Sequence, residues 1–294
     1  MAGDSILVIG GDGVIGAALV AHFKQENKSV FSTTRRGDSV GRERLYLDLT
    51  RPIDIAAFPS SIGAAVFCAG ITRLEDCRQD PAGTARINVE AVCNLAAVLA
   101  ARGVHLLYLS TNQVFDGSSR FPLPQDPVSP VTEYGRQKAE VEARLRASCA
   151  GRLAVLRLTK VIGDSEPLFE RWAHEWKNGS VVKPFSDMFM APVSSMLAVS
   201  VIGRMLEKWS PGIYHLSADR DISYAEAAYA GADIMGVNPL QVQPISVSDI
   251  GIDQGSFPAR TALNMDGLSS KFGVGPINAR HTVEQYFINR TCRG

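Results

Sequence analysis

The sequence predicts an α/β fold: a doubly wound parallel sheet followed by a smaller carboxyl-side lobe. Three observations predict it. Near the start, a glycine-rich turn, GGDGVIG, joins a short apolar run to a helical pattern. Strand-like apolar runs then alternate with helical patterns through the first half, as right-handed βαβ crossovers require. Beyond Gly163 that alternation breaks down. The expected division is a sheet domain over 1–162, rejoined by a return segment near 195–217, and a discontinuous lobe over 163–294.

Composition limits the function classes. A chain of 294 residues can bury more than one core. Lys+Arg 30 balance Asp+Glu 30, and no basic run forms a footprint for nucleic acid, so that partner is not expected. The five cysteines form no CxxC pair, which suits reduced packing thiols in a cytoplasmic protein better than a disulfide frame or zinc site. No apolar run is expected to span a membrane, and the short segment ahead of Ser5 leaves no room for a leader.

The elements follow in order. Ile6 to Ile9 reads as the first strand, and the helical pattern after it continues to about Asn27. Gly10, Gly13 and Gly16 between them let backbone approach a pyrophosphate, with the positive end of a helix dipole facing it. That makes the first domain a candidate Rossmann unit. A β-rich run over 29–34 ends in Arg35 and Arg36 with no carboxylate, the arrangement that accommodates a 2′-phosphate and favours NADP(H) over NAD(H). LYLDL over 45–49 reads as a third strand that delivers Asp48 near an adenine. The apolar run 64–69 is a strand buried on both faces, ended by Gly70. Helical spacing over 86–101, a strand over 105–110, a Pro- and Ser-rich loop over 117–130, a helix over 131–147 and a strand over 153–162 complete the first domain. Later, 195–207 and 224–235 read as helices, 212–217 as a strand, and 262–271 and 283–287 as small elements.

Tyr134 and Lys138 stand four apart on a helical pattern and share one face. A tyrosine is a poor acid or base near neutrality, and a cation beside it lowers its pKa by stabilising the phenolate. Thr111 ends a buried parallel strand, where the carboxyl edge of such a sheet opens into a ligand crevice. Its hydroxyl can hold a carbonyl. The five histidines show no metal spacing and no metal is expected, while Trp172 and Trp176, one turn apart, either stack on a base or sugar or, as aromatics at helical spacing more often do, pack a core.

These residues resemble the extended short-chain dehydrogenases/reductases. GGDGVIG, LYLDLT, CAG, INVEAVCNLA, STNQVF and Tyr134-x-x-x-Lys138 occur in that family's order over the first half of the chain. STNQVFDG, DMFMAPV, GIYHLS and RTALNMDGLSSKFG look most like its dTDP-4-dehydrorhamnose reductase branch, which also includes non-catalytic methionine adenosyltransferase β-subunits. The resemblance implies NADP(H) along the carboxyl edge of the sheet and reduction of a keto group on a nucleotide-linked deoxysugar. Tyr134 is then the proton donor, Lys138 lowers its pKa and holds the nicotinamide ribose, and Thr111 binds the carbonyl oxygen. Asp12, Val14, Ile15, Leu49, Ala69 and Gly70 join the glycines, the arginines and Asp48 as cofactor contacts. Asn88 lies near the cofactor or bridges buried backbone. Asn112, Gln113, Lys183 and Arg260 are candidate substrate contacts.

There are departures from the branch. Asn112 and Gln113 replace its Asp-Tyr pair and lack the acid and base of sugar-nucleotide dehydratases, so dehydration is not expected. Thr159, Lys160, Val161 and Ile162 replace a tryptophan-containing segment, and Phe257-Pro258 an Arg-Pro pair. An epimerase or another ketone reductase on the same scaffold, and a non-catalytic NADP-binding regulatory subunit, remain as alternatives. The joint presence of Thr111, Tyr134 and Lys138 favours catalysis. The expected partner is the small-molecule nucleotide sugar, with neither nucleic acid nor membrane; a homodimer stays open.

Overall fold

The computed structural model describes residues 4–292. Residues 1–3, part of the segment on which the expectation of no leader rests, lie outside them. β1 (Ser5–Ile9) is buried at every position, as a central strand covered on both faces must be. After the glycine turn comes α1 (Val14–Gln25), which buries Gly16, Leu19 and Phe23 at helical spacing. β2 (Val30–Thr34), β3 (Arg44–Tyr46) and β4 (Ile62–Phe67) follow. β3 stops short of the expected 45–49 because the Asp48 carboxylate turns the chain, accepting from the Thr50 backbone at 2.9 Å and its hydroxyl at 2.7 Å.

α2 (Leu74–Gln79) and α3 (Pro81–Ala85) precede a π-helical turn over Arg86–Ala91 and then α4 (Val92–Ala101). The helix expected from residue 86 thus begins earlier. Asp80 caps it by accepting from the Gly83 backbone at 2.8 Å, and Pro81 occupies its first turn. β5 (His105–Thr111) and α5 (Glu133–Cys149) agree closely with their sequence pattern, and β6 (Leu153–Leu158) begins where expected. The single strand expected over 153–162 divides, with β7 (Val161–Ile162) pairing separately, to Val193–Ser194. The remaining elements are α6 (Pro167–Lys177), β8 (Phe189–Met190), β9 (Val193–Ser194), α7 (Ser195–Glu207), β10 (Gly212–Leu216), β11 (Ile222–Ser223), α8 (Tyr224–Ile234), α9 (Asp266–Phe272) and α10 (Ala279–Thr291).

The main sheet runs β10-β6-β5-β4-β1-β2-β3. Register is parallel at β1–β2, β1–β4, β2–β3 and β4–β5. Strand order reverses between β1 and β4, and in such sheets ligands bind at the carboxyl ends beside the reversal. One helical stretch, Pro81–Ala101, is long and apolar enough to cross a membrane by length and composition alone. Its Val89, Val92, Leu95, Ala96 and Leu99 instead join the core built around β1, β4 and β5.

The chain forms two compact units. The first comprises the chain up to Val114, Thr132–Arg157 and Met196–Tyr214; the second comprises Phe115–Val131, Leu158–Ser195 and the chain from His215 on. Segment 115–131, within the expected first domain, groups with the second unit. The second core is aromatic: Phe169, Trp172 and Trp176 of α6 pack with Tyr286 and Phe287 of α10. Both tryptophans are buried there, consistent with a packing role.

Candidate active site

At the carboxyl end of β1 the backbone turns through Gly10 at φ 91°, and a Cβ there would lie 2.7 Å from the Ala69 nitrogen. Gly16 is tighter still. Its Cβ would sit 2.1 Å from the Gly10 carbonyl oxygen, so only glycine lets α1 begin directly over the strand end. Gly13 caps α1 without a side-chain bond, which leaves the first-turn N–H groups and the positive dipole end unclaimed by a capping side chain. Val14 is exposed and Ile15 half-buried beside them. Close-packed glycines and open donors fit the pyrophosphate of a dinucleotide.

Arg35 and Arg36 follow β2 and are exposed. Here the sequence reading needs correcting, because the fold does bring a carboxylate to this strand end. Asp12, from the glycine turn, accepts from the Thr34 hydroxyl at 2.7 Å and pairs with Arg44 of β3. The Thr34 bond, with Arg44 and Arg36 adding to it, holds the Asp12 carboxyl below its ordinary value. Asp48 is also held low, chiefly by the Thr50 hydroxyl and backbone, while Leu49 packs against the core.

The loop after β4 carries Ala69 and Gly70. Asn88, in the π-helical turn, clasps this loop: its oxygen accepts from the Ile71 backbone at 2.7 Å and its nitrogen donates to the Ile71 carbonyl at 2.9 Å. The same nitrogen lies 2.8 Å from Gln137 Oε1 on α5. Of its two expected roles, Asn88 fills the bridging one. π-Turns of this kind recur at functional sites because they rotate one residue out of the helical register.

β5 is buried from Leu106 to Thr111. Lys138 Nζ donates to the Leu109 carbonyl at 2.8 Å, and lies 4.6 Å from the Tyr108 ring centroid and 5.7 Å from that of Tyr134. Gly135 explains how Tyr134 comes so near the strand end. A Cβ there would lie 2.1 Å from the Gln113 carbonyl, so α5 can abut the turn over Asn112–Val114 only with glycine at this position. The Thr132 hydroxyl accepts from the Gly135 backbone at 3.0 Å and lies 3.3 Å from Gln113 Oε1. Thr111 Oγ1 accepts from the Gln113 backbone at 3.2 Å. Thr111 is thus fixed by the turn that follows it and Lys138 by the β5 backbone, with the Tyr134 ring 5.7 Å from the lysine nitrogen.

The electrostatics differ from the sequence expectation. Burial pushes the Tyr134 phenol above its ordinary pKa instead of the lysine pulling it below. Burial likewise brings Lys138 down to about 8, opposed by the charge of Glu142. The ammonium bonds the Leu109 carbonyl and not the phenol, so withdrawal from water outweighs the pair's mutual effect. Glu142 continues the same helix face. It is bound by Arg157 from β6 at 2.6 Å and by the Ser110 hydroxyl at 2.5 Å, and both members of the ion pair are 1% exposed.

Of the candidate substrate contacts, Asn112 is buried in the turn after Thr111, and Gln113 is half-buried beside Thr132. Lys183 and Arg260 belong to the second unit and are exposed; Arg260 donates to the Ser118 carbonyl at 3.0 Å. Among the described residues no cluster of His, Cys, Asp or Glu could hold a metal. Sequence reasoning missed Arg44, Gly135, Gln137, Glu142 and Arg157. Only the helical spacing Tyr134, Lys138, Glu142 could have found one of them; the others act across contacts distant in sequence.

The strand order, with the glycine turn at the reversal of the sheet, is that of a Rossmann-type α/β fold, and the chain is an extended short-chain dehydrogenase/reductase. Within that class the RmlD substrate binding domain model matches residues 4–291, and the chain belongs to that family. It is 29% identical over 165 residues to the methionine adenosyltransferase 2 subunit beta of Bos taurus, covering 56% of this chain and 49% of that protein. It is 34% identical over 141 residues to the dTDP-4-keto-6-deoxy-D-glucose reductase of Streptomyces niveus, covering 46% and 45%. The matched region thus spans about half the length of each relative. The fold is shared with dTDP-4-dehydrorhamnose reductase from Bacillus anthracis in complex with NADP, at a TM-score of 0.83, 17% identity and coverage of 98% and 99%.

Proposed function

We propose that the protein is an NADP(H)-dependent oxidoreductase that reduces the keto group of a nucleotide-linked deoxysugar. The observation that carries this is the placement of Tyr134 and Lys138 on one face of α5 beside β5, which ends in Thr111, in the same compact unit as the glycine turn. Sugar-nucleotide reductases among the relatives and structural neighbours support the substrate class.

The reduced nicotinamide supplies a hydride to the keto carbon when bound. Its pyrophosphate is assigned to Gly10, Gly13, Val14, Ile15 and Gly16, its adenosine end to Asp12, Arg35, Arg36, Asp48 and Leu49, and its flank to Ala69 and Gly70. Tyr134, kept protonated by burial, transfers its phenolic proton to the developing alkoxide. The Thr111 hydroxyl donates to the same oxygen and stabilises the charge that forms there. Lys138 provides a nearby cation and holds the nicotinamide ribose. Asn112 and Gln113 carry no carboxylate next to this site, so elimination of water has no acid–base pair there. Asn112 and Gln113 are assigned to the sugar nucleotide. Five cysteines without a disulfide suit work in the cytoplasm, and a homodimer is the assembly we favour.

The test is loss of NADPH absorbance with a panel of 4-keto-6-deoxyhexose nucleotides. Consumption stoichiometric with product establishes a reductase, whereas interconversion of sugars without net consumption establishes an epimerase. The methionine adenosyltransferase β-subunits among the relatives favour a second reading, a regulatory NADP-binding subunit. Tight cofactor binding without turnover, together with a stoichiometric partner in a pull-down, would establish that one.

A further inference from the structure

Asp12 raises a difficulty that the cofactor assignment must meet. A carboxylate at the end of β2 accepts a hydrogen bond from a free ribose 2′-hydroxyl and repels a 2′-phosphate. Sequence alone places only Arg35 and Arg36 there, yet the fold adds Asp12, held at Thr34, the last residue of β2. The same carboxylate is paired with Arg44, which reaches it from the neighbouring strand, and Arg36 lies within electrostatic range. Arg44 sits opposite Ser32 in the β2–β3 register, and its Nε is buried without a partner among the described residues. Its other end is thus committed to Asp12. The pair is partly exposed, at 39% and 27% for the two side chains.

We propose that Arg44 is a specificity-determining residue: by cancelling the charge of Asp12 it lets the arginines after β2 accept a 2′-phosphate, and without it the same turn selects the free 2′-hydroxyl. The inference rests on the NADP(H) reading above and deepens it. Arg44 acts through Asp12, the carboxylate that its guanidinium binds. Cofactor preference is then set by a balance of one carboxylate against arginines from two neighbouring strands.

The experiment measures equilibrium dissociation constants for NADPH and NADH by quenching of protein fluorescence, with no substrate and no turnover. Arg44→Gln should weaken NADPH about tenfold or more while changing NADH less than about threefold, a loss of the size expected when a compensated charge is exposed. Arg44→Lys, which keeps the charge, should retain most of the preference. Asp12→Asn in the Arg44→Gln background should restore NADPH binding, since the repelling charge is gone. An unchanged NADPH to NADH ratio in Arg44→Gln, or no rescue by Asp12→Asn, would overturn the inference while leaving the cofactor reading intact. Failure of the unaltered protein to bind either dinucleotide would instead overturn the cofactor reading and the inference with it.

Discussion

Lys138 is the residue whose ionisation should be visible in activity. Its folded pKa is lowered to about 8 from an ordinary 10.5 because burial penalises the ammonium, with Glu142, Cys68 and Cys77 opposing the shift. The lysine is therefore charged below that pH and loses its proton as pH rises through it. We expect kcat/KM for ketone reduction to fall above about pH 8, and the limb to move to higher pH in Lys138→Arg, since guanidinium stays charged. An identical limb in the two proteins would assign it to another group. Folding shows the opposite slope: the folded state binds fewer protons than the unfolded one between about 8 and 10.5, so this residue's cost to stability is greatest below that window and is relieved across it. Arg35 and Arg36 have a simpler consequence. Replacing both by alanine should weaken NADPH about tenfold or more and NADH little, as measured by equilibrium binding; equal weakening would contradict the phosphate assignment.

At the scale of elements, small residues set how closely helices approach their neighbours. In α8 a Cβ on Gly231 would lie 2.5 Å from the Phe287 ring of α10, and both neighbours of Gly231 in the helix are alanines. Gly231→Ala should destabilise the fold by about 1–3 kcal/mol through overpacking, despite alanine's better helix propensity. The midpoint of urea unfolding measures this, and a stabilised variant would show that Phe287 yields. Much of the first unit was legible because buried parallel strands read as continuous apolar runs and their crossovers as 3.6-residue periods; β5, α5 and α7 appear nearly where their patterns place them. α6 was not assigned as a helix. Its Leu168, Phe169, Trp172, Ala173 and Trp176 do repeat helically, but aromatics are middling helix formers and the segment lies where the strand–helix alternation fails. Within the site, the Tyr134–Lys138 spacing was legible because one helix fixes it. The Asp12–Arg44 pair was not, since the sheet brings together residues from separate elements.

For the molecule as a whole, two cores divide the labour. The aliphatic core around β1, β4 and β5 supports the cradle and the Tyr134–Lys138 face, and the aromatic core of α6, α8 and α10 builds a second unit. The first is where family motifs concentrate; the second carries the departures at 159–162 and Phe257-Pro258, so the resemblance thins there. The central claim is that this protein is a catalyst whose proton donor is Tyr134. Its most direct test is Tyr134→Phe, with turnover of a keto-deoxysugar nucleotide and NADPH binding measured on the same preparation. Loss of the phenolic proton should lower kcat by about a hundredfold or more, while the glycine cradle leaves the NADPH dissociation constant within about threefold of the original. Undiminished turnover, or loss of cofactor binding in step with activity, would contradict it.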